Sequence, residues 1–153
     1  MLTQTAELGI QLMLYLALRN GSDPVPPRVI AAKAGASPTY TAKVTGQLVK
    51  AGLLRAQRGA HGGVVLARDP AQINLLEIVE ACQGVILGDY CQPYDDLAAT
   101  CAYHQAMAEL HAALTSVLSS WTLAMIAARP CPHESLRPLV QCKLGWLEDL
   151  AQG

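Results

Sequence analysis

The chain has 153 residues and a mass of 16.2 kDa, enough for one domain with its own hydrophobic core, which excludes a disulfide-dependent mini-protein. Apolar residues make up 52% and charged residues 15%, which excludes intrinsic disorder, and the absence of Phe predicts an aliphatic, mainly helical core. The apolar run from Leu12 to Leu18 lacks a basic leading segment and a cleavage site, so we expect neither export nor a membrane span. Five cysteines without an export signal then predict a reducing, cytoplasmic location.

The net charge of −1 hides a strong separation of charge along the chain. Seven of the eleven basic residues and none of the twelve acidic ones lie between Arg28 and Arg68, so this segment carries +7 and the remainder −8. Such a segment indicates an anionic partner, most simply the phosphates of nucleic acid. A solvated basic surface without a partner is the alternative on charge alone.

The N-terminal third of the chain predicts three helices. Thr5 to Arg19 is apolar nearly all round, which is typical of a buried helix, and the turn from Gly21 to Pro24 ends it. Arg28 to Ala34 predicts a short second helix that stops at Gly35. Ser37-Pro38 is a strong start signal for a third helix, which Gly52 closes. Two helices separated by three residues that include Gly have helix-turn-helix spacing.

The third helix carries two stripes of different chemistry. The apolar stripe, which we expect to face the core, comprises Tyr40, Val44, Leu48 and Ala51. The neighbouring stripe of hydrogen-bonding and cationic residues comprises Thr39, Lys43, Gln47 and Lys50. A recognition helix presents such side chains to base edges and phosphates. Two β-prone segments follow, Leu53 to Arg58 and Val64 to Ala67, and the glycine-rich tip between them predicts a hairpin. Together these elements predict a winged helix-turn-helix.

Helices resume beyond Asp69-Pro70. Asn74 and Glu77 predict a capping box at the start of a helix over Leu75 to Gln83, and Gly84 to Asp95 is expected to be a loop. Asp96 to Ala128 predicts one long helix, and Leu136 to Ala151 a short terminal one. The long helix has an apolar stripe at Leu110, Leu114, Val117, Leu118 and Trp121. A small domain cannot easily cover a stripe of that length, so the pattern predicts a dimerisation helix and a homodimer.

In this order, the motifs resemble the Rrf-two (Rrf2) family of bacterial winged-helix transcription regulators, which includes iron–sulfur cluster regulators and nitric-oxide-sensing repressors. The likeness rests on Glu7 to Ala17, Ser37 to Leu54 and the wing sequence Arg58 to Ala67, and it extends to about Trp121. The family resemblance implies a homodimer on palindromic promoter DNA, with the third helix in the major groove and the wing over the adjacent minor groove.

The resemblance and the charge pattern together give a set of candidate DNA-binding residues. Ser37, Thr39, Tyr40 and Lys43 match positions that contact DNA in the family, and Arg58 matches its wing arginine. An arginine beside a glycine-rich tip is also suited to a narrow minor groove. Ala42 replaces an acidic residue that tunes site choice in the cluster regulator, so target preferences do not transfer. The full candidate set is Arg28, Ser37, Thr39, Tyr40, Lys43, Gln47, Lys50, Arg58 and His61.

The resemblance also implies a metal site, because many members hold an iron–sulfur cluster through three cysteines before the long helix. Here Cys91 and Cys101 are present with His104 nearby, but the middle cysteine is missing. Cys82, at the end of the preceding helix, is a candidate for the missing thiolate, with a small buried apolar residue as the alternative. Glu7 aligns with a first-helix carboxylate that completes the cluster across the dimer in one branch of the family. Mixed thiolate, imidazole and carboxylate ligation suits a 2Fe–2S cluster better than a 4Fe–4S cluster. Zinc is the alternative, since sulfur and nitrogen ligands suit it equally well.

Three segments and two functional hypotheses follow. We expect a winged helix-turn-helix DNA-binding domain over residues 1–70, a sensor loop with the dimerisation helix over 71–129, and a C-terminal extension over 130–153. The first hypothesis is a redox- or cluster-sensing regulator. The second is a metal-free or zinc-binding winged-helix regulator or adaptor controlled by a small ligand or protein partner. No catalytic motif is present, so we expect no enzyme. Target genes, the signal and the roles of Cys82, Cys131 and Cys142 stay open.

Overall fold

A computed structural model describes residues 2–19, 23–59, 62–86, 100–136, 139–147 and 150. Its helices and strands are α1 (Gln4–Leu18), α2 (Pro27–Ala34), α3 (Pro38–Lys50), β1 (Leu54–Gln57), β2 (Gly63–Leu66), α4 (Leu75–Gln83), α5 (Ala102–Ser120) and α6 (Leu123–Ala127). Short 3-10 turns cover Pro70–Gln72, Glu134–Leu136 and Gly145–Leu147. Strands β1 and β2 pair antiparallel, with Leu54 opposite Leu66. The predicted mainly helical fold with a winged helix-turn-helix is therefore confirmed.

Local signals set the helix-turn-helix as predicted. Pro27 and Pro38 occupy the first turns of α2 and α3, where the missing backbone N–H costs nothing. Gly35 ends α2 in the left-handed conformation at φ 63°, and its N–H donates to the carbonyl of Ala31. The carbonyl of Ser37 then accepts from the Thr41 hydroxyl at 3.0 Å. These contacts fix the angle at which α3 leaves the turn.

Helix α1 lies at the centre of the core. Leu12, Met13 and Leu14 are completely buried, and the helix packs against α3, α4 and α6. Its approach to α4 is so close that a Cβ on Gly9 would lie 2.5 Å from the sulfur of Cys82. The two helices can therefore pack at this separation only because residue 9 has no side chain.

The wing is anchored to the rest of the fold by a third short segment. Val25 pairs antiparallel with Val64, and each backbone N–H donates to the carbonyl of the other at 3.0 and 2.9 Å. A Cβ on Gly63 would collide with the backbone of Val25. A Cβ on Gly62 would lie 2.6 Å from the carbonyl oxygen of Gln57 in the wing itself. Both glycines of the wing motif therefore have a steric reason, because another backbone segment passes close to each of them.

The predicted capping box at α4 is confirmed. Asn74 Oδ1 accepts from the N–H of Glu77 at 3.0 Å, and Glu77 Oε2 accepts from the N–H of Asn74 at 3.1 Å. Glu77 also forms an ion pair with Arg68 at 2.6 Å. One carboxylate therefore joins the end of the wing to the start of α4.

The prediction of one unbroken helix from Asp96 to Ala128 is wrong. Helix α5 ends at Ser120, and α6 starts again after Thr122, whose hydroxyl caps it by accepting from Met125. The break has a tertiary cause. The carbonyl of Trp121 accepts from the N–H of Leu75, and Leu123 donates to the carbonyl of Ile73 at 2.8 Å. Pairing with the chain before α4 therefore replaces helical hydrogen bonds at this point.

Two further expectations are wrong in part. Between residues 136 and 147, the described chain forms only 3-10 turns and irregular structure in place of the expected terminal helix. This segment is held by side-chain packing, since Leu147 is completely buried.

Ala51 is exposed at the end of α3, while Val44 and Leu48 of the same predicted stripe are buried. The buried part of the predicted apolar stripe therefore ends at Leu48, one helical turn before Ala51.

Because α1 and α4 touch at Gly9, we predict that Gly9→Ala destabilises the fold. The added methyl group overlaps the buried Cys82 sulfur, an overpacking that costs about 1–3 kcal/mol. That exceeds the roughly 1 kcal/mol that Ala gains over Gly in a helix. Urea unfolding checks this, and adding Cys82→Ala should recover part of the loss. Gly46→Ala is the control, since open space surrounds Gly46 on α3, and it should be neutral or stabilising. A Gly9→Ala protein as stable as the wild type would contradict the packing argument.

Candidate nucleic-acid interface and metal centre

One face of α3 is exposed and hydrophilic. Thr39, Lys43 and Lys50 are exposed along it, and Gly46 lies between them without a side chain. The opposite face is anchored by Val44 and Leu48, both completely buried. The helix therefore presents two cations and a hydroxyl to solvent from a fixed backbone, as a recognition helix requires.

Gln47 does not lie on that exposed face, so its predicted place in the hydrophilic stripe is wrong. It is half-buried against α4, and its Nε2 donates to the carbonyl of Cys82 at 3.4 Å. Its Oε1 is buried and has no hydrogen-bond partner among the described residues. Tyr40 also turns partly inward, because its hydroxyl lies 2.7 Å from Thr5 Oγ1 on α1. Both polar residues therefore connect α3 to neighbouring helices.

An open groove of about 580 Å³ separates α3 from the wing. Gly46 and Ala42 line it from α3, and Arg58 lines it from the wing, directly after β1. Arg58 is exposed, and Gly59 follows it with φ 118°. His61, the other wing candidate, lies outside the described residues. The groove thus brings the predicted recognition helix and the wing arginine to one surface.

The cations of the basic segment are mostly unpaired. All seven are exposed, and Arg68 is the one bound to a carboxylate, that of Glu77. Within the described part of the chain, the other six form no ion pair: Arg28, Lys33, Lys43, Lys50, Arg55 and Arg58. Their charge is therefore available to an anionic partner.

Cys101 and His104 form a close pair at the start of α5. The Cys101 sulfur lies 3.1 Å from His104 Nδ1, and Cys101 is exposed at the N-cap position of the helix. The hydrogen bond with His104 lowers the pKa of the Cys101 thiol from its usual range. A thiolate beside an imidazole is the donor chemistry that iron and zinc prefer.

The other sulfur and carboxylate candidates do not join this pair. Cys91 lies outside the described residues. Cys82 is buried between α1 and α4, and burial raises the pKa of its thiol to about 11, so it stays protonated. Glu7 is bound elsewhere, because Lys143 Nζ lies 2.7 and 2.8 Å from its two oxygens. Among the residues that the structure describes, no three potential ligands are grouped for a metal ion.

The donors of an iron–sulfur cluster are therefore only partly assembled within one chain. Cys101 and His104 fit such a group by chemistry and exposure, whereas Glu7 fits only if Lys143 releases it. The sequence pattern did not indicate Lys143 as a partner of Glu7, because the two residues lie 136 positions apart. Lys143 is the single lysine in the acid-rich C-terminal half of the sequence, but this fact does not show which carboxylate it binds.

These features define a winged-helix protein with an exposed cationic face on α3 and the wing, and comparison with known proteins gives the family. Residues 2–129 match the Rrf2 family, described as iron-dependent transcriptional regulators. The chain therefore belongs to the Rrf2 family, and the predicted family resemblance is confirmed.

Relatives and solved structures agree with this assignment. The HTH-type transcriptional regulator IscR of Cronobacter sakazakii is 31% identical over 124 residues, which cover 80% of this chain and 76% of that protein. The structure of T. potens IscR has 26% identity and a TM-score of 0.70, and covers 90% of this chain and 96% of its own. CymR, the global cysteine regulator of B. subtilis, has 27% identity and a TM-score of 0.69, with 83% and 95% covered.

The comparisons also settle the broad class of activity. Because the relatives are transcriptional regulators, this chain is a transcription regulator of the same type, and the prediction that it is not an enzyme is confirmed. Among the helices of the described residues, none combines the length and apolar character needed to cross a bilayer.

Because His104 holds the pKa of Cys101 low, we predict unusual reactivity of this thiol. A lowered pKa leaves more thiolate at neutral pH, so Cys101 should alkylate rapidly with iodoacetamide at pH 7. His104→Ala should slow this reaction severalfold at pH 7, and the two rates should converge above pH 10. Peptide-resolved mass spectrometry measures each cysteine, and buried Cys82 is the unreactive control. An unchanged pH profile in His104→Ala would contradict the assigned contact.

Proposed function

We propose that this regulator binds double-stranded promoter DNA as a homodimer and responds to redox or iron–sulfur status through the Cys101 region. The observation that carries the DNA-binding proposal is the set of exposed, unpaired cations on α3 and the wing. Helix α3 would enter the major groove, and Arg58 would reach the adjacent minor groove. The candidate residues on this surface are Arg28, Ser37, Thr39, Lys43, Lys50 and Arg58. Tyr40, also on α3, holds that helix against α1 through its contact with Thr5.

The contacts divide by chemistry into those that position the protein and those that specify sequence. Lys43 and Lys50 are suited to phosphates or to guanine edges, and Thr39 to a base edge. Arg58 beside a glycine tip fits a narrow minor groove, where the negative potential is enhanced. Neutralised phosphates release counterions, so affinity should fall steeply with salt.

We predict that Lys43→Ala and Arg58→Ala each weaken promoter binding by about 1–3 kcal/mol, or reduce the salt slope by about one unit where the contact is to phosphate. Fluorescence anisotropy across a salt series, on a fragment selected from genomic DNA, measures both quantities. Arg129→Ala is the control, because it removes the same charge from an exposed site outside the basic segment. If either variant matches the wild type in affinity and slope, that residue does not contact DNA.

The homodimer proposal is supported by an uncovered apolar stripe on α5. Leu110, Val117 and Trp121 are 43%, 58% and 43% exposed, and Leu114 is 36% exposed. Leu118 of the same predicted stripe is instead half-buried and packs against the core. A two-fold interface would cover the stripe with its own copy.

We predict that Leu114→Glu dissociates the dimer, because it places a charge at the centre of the stripe. Sedimentation at micromolar concentration should shift from dimer toward monomer, an expected loss of several kcal/mol of association free energy. Ala112→Glu is the matched control, since it adds the same charge on the opposite side of α5. A wild-type monomer at that concentration would end the dimer proposal.

The sensing proposal is supported by the Cys101–His104 pair and by the family's description as iron-dependent. Cys101 and His104 would hold the cluster with Cys91 and with Glu7 of the partner subunit, and a 2Fe–2S cluster suits this mixed set. When bound, the cluster would supply one-electron redox chemistry. Thr5, two residues from Glu7, contacts Tyr40 on α3, so a shift of α1 would reach the recognition helix.

Zinc, or no metal at all, is the second candidate state. The missing middle cysteine favours it, because three sulfur ligands cannot come from the loop alone. Under this alternative, the chain is a zinc-binding or metal-free regulator controlled by a small ligand or a protein partner. Iron and zinc analysis of anaerobically purified protein distinguishes the three states.

A further inference from the structure

The segment at residues 139–147, which we call the C-terminal strap, lies beyond the family match and packs onto α1. Trp146 stacks on Tyr15 with ring centroids 5.7 Å apart and planes 23° from parallel. Its Nε1 donates to Gln11 Oε1 at 3.3 Å. Leu147 is completely buried in the core beside them. The strap is therefore attached to α1 by both apolar and polar contacts.

The strap contacts one face of α1. Glu7, Gln11 and Tyr15 are spaced four residues apart and so lie on one face of the helix. Lys143 meets the first of them, and Trp146 meets the second and third. The strap thus extends along this face of α1 from its buried end at Tyr15 to the carboxylate at Glu7.

The strap places a cation against Glu7, which is a proposed metal ligand. Lys143 Nζ donates to both carboxylate oxygens, at 2.7 and 2.8 Å. An iron ion would have to compete with the ammonium group for the lone pairs of both oxygens. The ammonium group would also repel a metal cation at the same position.

We propose that the strap presents Lys143 to Glu7 as a competing cation, so that Glu7 becomes a metal ligand only when Lys143 is displaced. The metal part of this inference rests on the proposed sensing function, whereas the docking of the strap does not.

The two ends of the strap differ in strength, which allows such a displacement. The Lys143 side chain is 71% exposed, and exposed ion pairs contribute little to stability. Trp146 and Leu147 bury apolar surface and hold the strap more firmly. The Lys143 ammonium group can therefore leave the Glu7 carboxylate while Trp146 and Leu147 keep the strap attached to α1. Lys143 then stays near Glu7 and can bind it again.

Hydrogen–deuterium exchange on the metal-free protein tests the docking. We expect amides of residues 139–147 to exchange about two- to fivefold faster in Glu7→Gln and in Lys143→Ala, as for loss of an exposed ion pair. Trp146→Ala should accelerate exchange more than tenfold. Glu109→Gln, an exposed carboxylate on α5, should change nothing. Unchanged exchange in Trp146→Ala would overturn the strap itself.

Cluster retention tests the competition. After anaerobic reconstitution with iron and sulfide, the time for a chelator to bleach the cluster should lengthen by a similar two- to fivefold in Lys143→Ala. Lys143→Arg, which keeps the charge, should resemble the wild type. The gain should vanish in a Glu7→Ala background, because Lys143 then has no carboxylate to occupy.

The outcomes separate this inference from the proposed function. Equal cluster lifetimes in wild type and Lys143→Ala, or a gain that persists without Glu7, would overturn the competition while leaving cluster sensing intact. Failure of both proteins to take up iron would overturn the competition and cluster sensing together. The exchange experiment would still decide whether the strap docks.

Discussion

Helix α1 is buried along most of its length, and the rest of the described structure depends on that burial. It packs against α2, α3, α4, α6 and β2, with Leu12 and Met13 at the centre of the core. Close packing makes such a helix intolerant of added volume, as the Gly9 contact with Cys82 illustrates. The helix-turn-helix, the wing and the C-terminal elements therefore share one support.

The polar contacts of α1 connect regions with different roles. Thr5 contacts Tyr40 on α3, the proposed recognition helix, and Glu7 contacts Lys143 on the C-terminal strap. These two α1 residues are two positions apart, near the N-terminal end of the helix. A change in the partner of Glu7 therefore acts close to the contact that supports α3. If Glu7 takes part in sensing as proposed, this adjacency would connect it to the proposed DNA-binding surface.

Elements governed by neighbouring residues could be predicted from the sequence. Proline at the first turn, glycine at Gly35 and the Asn74–Glu77 capping box act within a few residues, and each sets its helix end as expected. The exposed cations of α3 and the wing likewise followed from spacing and charge. In each case, the residues that determine the local structure lie within a few positions of one another in the sequence.

Features decided by distant residues could not be predicted. The helix break at Trp121 comes from pairing with Leu75, and the inward turn of Gln47 comes from the Cys82 carbonyl on α4. Helical periodicity continues through both positions, so sequence spacing carries no sign of either contact. The Lys143–Glu7 ion pair joins residues from the two ends of the sequence. It alters the candidate metal site most, because it occupies the carboxylate that was expected to bind metal.

The claim that the Cys101 region senses through a cluster is tested most directly by the absorption spectrum of anaerobically purified protein. A cluster at this site would give visible sulfur-to-iron charge-transfer bands and stoichiometric iron, both lost in Cys101→Ala and both kept in Cys142→Ala. A colourless wild-type protein without iron, or a Cys101→Ala protein with an unchanged spectrum, would contradict that claim.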